Sequence, residues 1–215
     1  MKRSVLSAIA SFALLVGAMA SNATAQEPPK WQGLYGGFYT GYAALGNDYT
    51  DSVLGSLDLD IDGWINGLTV GMNWRHGQFL FGIEVDGAIV DAGDDVACAG
   101  GRCRVDWNSY GSARGRIGWI FGDEDDYAVY VTGGFAAADF DARSTLVGGN
   151  GYTEAGWVIG GGIEAYVFNT NFISNKIEYT YSDFGNGHSF PIGSADTADI
   201  ESDAHILKIG MNIHF

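Results

Sequence analysis

The sequence predicts an all-β fold: a transmembrane, antiparallel, up-and-down β-barrel of eight strands with both termini periplasmic. Three observations lead there. Segments about ten residues long alternate apolar and polar with period 2, the pattern of a barrel strand with two unlike faces. The chain has 33 Gly but only 3 Pro and 17% charged residues, so ladder breakers and solvated charge are both scarce. Beyond residue 25 no apolar run approaches the roughly 20 residues of a membrane-crossing helix, so strands must do the crossing.

The N-terminal end sets the compartment. Met1-Lys2-Arg3 is a positive stretch, residues 5–18 are apolar except for Ser7, Ser11 and Gly17, and Ala23-Thr24-Ala25 supplies small residues. That is a signal peptide with cleavage expected after Ala25. A membrane anchor is disfavoured because the run is too short to span. No cysteine follows the cleavage site, which argues against a lipid anchor. The expected organisation is therefore a signal peptide at 1–25, a periplasmic N-terminal segment at 26–33 and an outer-membrane β-barrel at 34–215.

In chain order the strands are expected at 34–44, 61–74, 79–89, 107–121, 128–138, 153–167, 173–183 and 204–215. One face of the first three carries Leu34, Phe38, Tyr42; Leu68, Val70, Met72, Trp74; and Phe79, Phe81, Ile83, Val85, Ile89. The next three give Ile117, Trp119, Phe121; Val129, Val131, Phe135; and Trp157, Ile159, Ile163, Val167. Ile173, Ile177, Tyr179, Tyr181 and then Leu207, Ile209, Met211, Ile213, Phe215 complete the set. This face has no charge in any strand interior. A charge there would cost roughly 2–4 kcal/mol at mid-bilayer.

The opposite face is small and polar, with Gly37, Tyr39, Gly67, Thr69, Asn73, Tyr110, Ser112, Thr132, Gly160, Gly162, Thr180 and Asn212. It also holds the mid-strand charges: Glu84, Asp86, Arg114, Arg116, Glu164, Lys176, Glu178 and Lys208. Acids and bases balance. A soluble sandwich would bury its aliphatic face, whereas matched charges opposite a charge-free aliphatic face describe a barrel turned inside out. The eight charges are expected to form a lumen network. A selectivity filter is the competing reading, and the plug is favoured because eight-stranded barrels are just wide enough to be filled by side chains.

Aromatics gather at strand ends, Trp74, Phe79, Trp119, Phe121, Phe172 and Phe215 at one end and Tyr42, Trp64, Trp107, Phe135, Trp157 and Tyr181 at the other. These read as two interfacial girdles. Short connections at 75–78, 122–127 and 168–172 alternate with long loops expected at 44–60, 90–106, 139–152 and 184–203. The short ones belong to the periplasmic side. The net charge is −15, and the loss of Lys2 and Arg3 makes it more negative. With the lumen neutral, the excess lies in loops and turns, including Asp123-Glu124-Asp125-Asp126. Nucleic acid is excluded as a partner by that charge.

Other motifs carry less. Cys98 and Cys103 are expected to form a local disulfide in an oxidising compartment, and a metal site is disfavoured because neither His nor further Cys lies nearby to complete four ligands. Asp58, Asp60 and Asp62 resemble the start of a calcium loop, but the twelfth position is Thr69 and no helices flank it. A solvated loop is preferred to a divalent site, and no cofactor is expected. Gly36-Gly37 and Gly160-Gly161-Gly162 read as strand glycines rather than phosphate loops. His188-Ser189 and His205 raise a hydrolase reading, which fails because sequence neighbours do not make a nucleophile, base and acid in mutual reach. The chain is read as a non-enzyme.

Several segments resemble the small "porin family" outer-membrane proteins of alpha-proteobacteria. They are residues 110–119 (Tyr-Gly-Ser-Ala-Arg-Gly-Arg-Ile-Gly-Trp), 130–135, 31–38, 156–164, 176–185 and the closing 208–215. The resemblance spans nearly all of the chain after the leader and is weakest in the loops. It implies surface antigens with an OmpA-type eight-stranded barrel, in contact with outer-membrane lipid, lipopolysaccharide and host or environmental surfaces. It also implies that the terminal Phe215 is an assembly signal read by the barrel-assembly machinery. Some family members bind haemin, for which no axial-ligand pair is evident in this sequence. A structural surface barrel is the leading reading, a narrow solute channel the second and a lipid-directed enzyme the third.

Overall fold

The computed structural model describes residues 29–215 except 52–54, 99–100, 145–147, 169, 187–189 and 192–196. The leader assigned to 1–25 lies outside the described residues. Eight long strands follow in order: β1 (Gly33–Asp51), β2 (Gly55–His76), β3 (Phe79–Cys98), β4 (Gly101–Phe121), β5 (Tyr127–Ser144), β6 (Gly148–Tyr166), β7 (Ile173–Asn186) and β9 (Thr197–His214). The two-residue β8 (Phe190–Pro191) is a small ladder against Thr197 and Ala198. Neighbours along the chain pair antiparallel, and β1 pairs with β9 to shut the ring. Closure satisfies each strand's backbone groups without an edge, the condition for crossing hydrocarbon with strands.

The two faces separate by parity. Phe38, Leu68, Ile83, Ile117, Val131, Ile159, Ile177 and Ile209 are all more than half exposed on the outside. Thr69, Asn73, Ser112, Thr132, Thr180 and Asn212 are buried inside. An aliphatic exterior around a polar interior fits a barrel whose solvent is lipid.

Two expectations need correction. The long connections are mostly not loops: β1 and β2 stay in register past Ala44↔Asp62 as far as Asp51↔Gly55. Likewise β3–β4 pair to Cys98↔Gly101 and β5–β6 to Ser144↔Gly148. Outside the bilayer both faces of a hairpin can be polar, so alternation vanishes from the sequence while the backbone ladder continues. Asp58, Asp60 and Asp62 therefore lie on strand β2, with Asp58 opposite Asp48, and not in a loop.

The second correction is Trp107. It was expected in a lipid-facing girdle, but it is 1% exposed and points inward. The β3–β4 register slips between Ile89 and Ala92, and the β4–β5 register slips between Trp107 and Ser109. An irregularity of one residue flips the faces of every residue beyond it. Trp107 thus joins Ile65, Val90, Phe140, Phe184 and Ile206 in an apolar core filling the lumen on the hairpin side.

Candidate functional site

Among the described residues, charged and polar side chains converge in the lumen. Between the apolar core and the turn end lies a polar band. Glu84 and Asp86 come from β3, Arg114 and Arg116 from β4, Glu164 from β6, Lys176 and Glu178 from β7, and Lys208 from β9; all are buried. Period 2 places each set on the inner face, and antiparallel pairing brings Glu84 opposite Arg114, Glu164 opposite Lys176 and Glu178 opposite Lys208.

Arg114 is the hub. Its guanidinium donates to Glu84, to Asp86 at 2.8 Å and to Glu178 at 2.9 Å. The planar fork of donors suits an arginine to this three-carboxylate position. Lys176 Nζ donates to Glu84 Oε2 at 3.0 Å. Remaining lone pairs are taken by hydroxyls: Tyr35 on Glu84 at 2.7 Å, Tyr130 on Glu178 at 2.8 Å, and Ser112 on Asp86 at 2.8 Å. Such satisfaction is what makes buried ion pairs tolerable.

Nearer the turns, Arg116 donates to Glu164 at 3.1 Å and to Asn73 at 2.9 Å. Asn212 and Ser174 donate to the other Glu164 oxygen at 2.7 and 2.5 Å. The Arg116 guanidinium also lies 4.5 Å from the Tyr35 ring and 5.2 Å from that of Tyr130. These rings need space, and glycine makes it: a Cβ on Gly71 would collide with the Tyr35 ring, and one on Gly67 with Tyr39.

Lys208 differs from the others. Its Nζ is 3.6 Å from Asp86 and 3.7 Å from Glu178, makes no hydrogen bond, and sits 4.8 Å from the centre of the Tyr39 ring. Arg116 NH2, Asn73 Nδ2, Thr69 Oγ1 and Thr180 Oγ1 are also buried without protein partners. Buried polar atoms of this kind call for bridging water.

Beneath the band the turn end is shut by Trp31, which alternation could not find because it precedes the first strand. Trp31 packs with Leu80, Ile120 and Ala128, and against the Tyr166 ring at 4.5 Å. Tyr35 and Tyr130, which the reading of the inner face did not single out, share the inward parity of Tyr39 and Thr132 on their strands and are buried. Phe215 lies at the same end, its N–H bonded to Leu34 O at 2.9 Å and its ring exposed.

Other candidates fall elsewhere. His205 is on the outer face, with Nδ1 2.6 Å from the Tyr179 hydroxyl and Nε2 3.2 Å from Asp203. His188 and Ser189 lie outside the described residues, as do the side chains of Cys98, Cys103, Asp58 and Asp60. Among the described residues no group of three His, Cys, Asp or Glu is arranged to hold a metal.

The comparisons agree with an inside-out barrel. Residues 10–215 match the model of the outer membrane protein beta-barrel domain. The chain belongs to that family. This outer-membrane barrel is 33% identical to the 22 kDa outer membrane protein of Rhizobium leguminosarum bv. viciae, over 89% of this chain and 83% of the relative. It is 28% identical to the 31 kDa outer-membrane immunogenic protein of Brucella melitensis biotype 1, over the whole of both chains. The 25 kDa outer-membrane immunogenic protein of Brucella abortus biovar 1 is 27% identical over 92% of this chain and 91% of its own. In fold, the outer membrane protein OprG of Pseudomonas aeruginosa aligns with a TM-score of 0.58 at 13% identity, covering 86% of this chain and 96% of that one. The alpha-proteobacterial resemblance and the outer-membrane location both stand, and these relatives are named as outer-membrane proteins rather than as enzymes.

Proposed function

We propose that this protein is a non-conducting, non-catalytic surface barrel, whose work is done by its envelope-facing exterior while the lumen serves only to hold the cylinder rigid. The observation that carries the reading is the Arg114 hub: one guanidinium engaging three carboxylates from two walls fills the cross-section with fixed, neutralised charge. The aromatic core on one side and Trp31 on the other add two apolar stoppers. The short turns and both termini face the periplasm and the long hairpins face outward. The hairpins, acidic and outward-facing, would meet lipopolysaccharide, with divalent cations offsetting the like charge, and host or environmental surfaces. The immunogenic names of the Brucella relatives support that exposure. Phe215 serves as the address for the barrel-assembly machinery.

A narrow channel is the second reading, favoured by the buried polar atoms around Lys208 and Arg116 that have no protein hydrogen-bond partner. Planar-bilayer recording of refolded protein separates the two. The closed reading expects no unitary current at physiological salt, and steady cation- or anion-selective steps would replace it with the channel.

A further inference from the structure

The residues just ahead of β1 do more than lead into the barrel. Gln32 N–H bonds back to Pro29 O at 3.1 Å, and Trp31 adopts a left-handed backbone with φ 71°. Such a φ is costly for a bulky residue and persists only where surrounding contacts hold it. Gly33 follows at φ 116°, and a Cβ there would meet Phe215 O at 2.8 Å. The chain is thus bent sharply at the foot of β1, which turns the indole inward.

The partners of this bend come from around the ring. Trp31 Nε1 donates to Asp125 O at 2.7 Å in the β4–β5 turn, and its backbone N–H donates to the Tyr166 hydroxyl of β6 at 3.1 Å. Its ring meets the edge of His214 of β9 at 5.7 Å. Lys30 Nζ pairs with Asp126 at 2.6 Å and bonds Glu124 O at 2.9 Å. Arg75, at the end of β2, pairs with Asp125 at 2.6 Å and reaches Lys30 O at 3.4 Å. The acidic turn Asp123–Asp126 is therefore an anchor for two cations as well as surface charge.

We propose that Lys30 and Trp31 form a latch across the turn end of the barrel, engaging only after β1 and β9 have met. In an eight-stranded ring β5 lies opposite β1, so the contacts from Trp31 to the β4–β5 turn cross the lumen mouth. They cannot coexist with an open sheet, in which β1 and β9 are the far edges. Interactions absent from the folding transition state slow unfolding and leave folding unchanged. The latch thus confers kinetic stability on a closed barrel without being needed to build it.

The test uses the full processed chain refolded in detergent micelles, with folding and unfolding rates followed in denaturant jumps. Trp31→Ala should unfold about tenfold faster or more while refolding within about twofold of wild type. Trp31→Phe, which keeps a ring but loses the indole N–H, should recover most of that difference. Lys30→Ala with Arg75→Ala should also speed unfolding, and should add little once Trp31 is gone, because groups of one unit are non-additive. An unchanged unfolding rate in Trp31→Ala would overturn the latch. So would slower refolding in both ring variants, or failure of Trp31→Ala to refold at all, since each would place Trp31 within closure itself.

Discussion

The two halves of the lumen solve one packing problem with opposite chemistry. Toward the hairpins, Ile65, Val90, Trp107, Phe140, Phe184 and Ile206 form an apolar core like that of a soluble protein. Toward the turns, four acids and four bases occupy the same kind of space. An apolar filling is non-directional and tolerates any register that excludes water. A polar filling is directional, because each buried charge must find its partner. The difference indicates where the barrel's pairing is specified: the polar band rejects a slipped strand, since a shift of one residue would drive Glu84 or Arg114 into lipid.

The comparison can be broken most directly at Arg114. Its replacement by alanine would strand Glu84, Asp86 and Glu178 together, with a loss of roughly 3–5 kcal/mol. Urea unfolding of the refolded variant measures it, and a midpoint like that of wild type would remove the hub from the account. Glu178→Gln, which keeps the shape but not the charge, should cost about 1.5–3 kcal/mol, the worth of hydrogen bonds to a charged group. In the apolar half Phe140→Leu should cost less than about 1.5 kcal/mol, as hydrophobic swaps of similar volume do. If it costs more than Glu178→Gln, the claim that the apolar half is the more tolerant is wrong.

Lys208→Met sharpens the contrast from within the polar half. Lys208 makes no direct hydrogen bond, and both of its carboxylates are also held by Arg114. The variant should lose about 1 kcal/mol or less, because well-packed apolar replacements of buried ions are often near neutral. Equal losses for Lys208→Met and Arg114→Ala would show that charge count, not hydrogen-bond geometry, governs the band. The smallest effect is expected at Phe215, which belongs to neither half. Phe215→Ala should shift the unfolding midpoint by under about 1 kcal/mol, while the amount of barrel recovered in outer membranes of cells falls severalfold. Normal assembly in cells would dismiss its role as an address.

The strand count, the two faces, the antiparallel order and the eight lumen charges were all legible in the chain. Each depends on period 2, which is a local property: Glu84 and Asp86 share a face whatever lies across from them. The relation of Arg114 to Glu178 was not legible, since parity says that both point inward but not which carboxylate a guanidinium reaches across the lumen. Trp107 was misassigned for a related reason. A bulge is a property of paired strands, and nothing in the sequence signals that β3 carries one residue more than β4 between Ile89 and Ala92, or β4 one more than β5 between Trp107 and Ser109. Hairpins such as 45–60 were missed because their residues do not keep the apolar–polar alternation of the preceding strand, while the backbone ladder continues. Trp31 lies before any periodic segment, and only the closed ring gives it walls to bind. By itself the sequence determined what each residue's immediate surroundings must be, lipid or lumen. The tertiary structure decided which lumen groups meet and how the ends are closed, because those depend on distances across the barrel that exist only once it has shut.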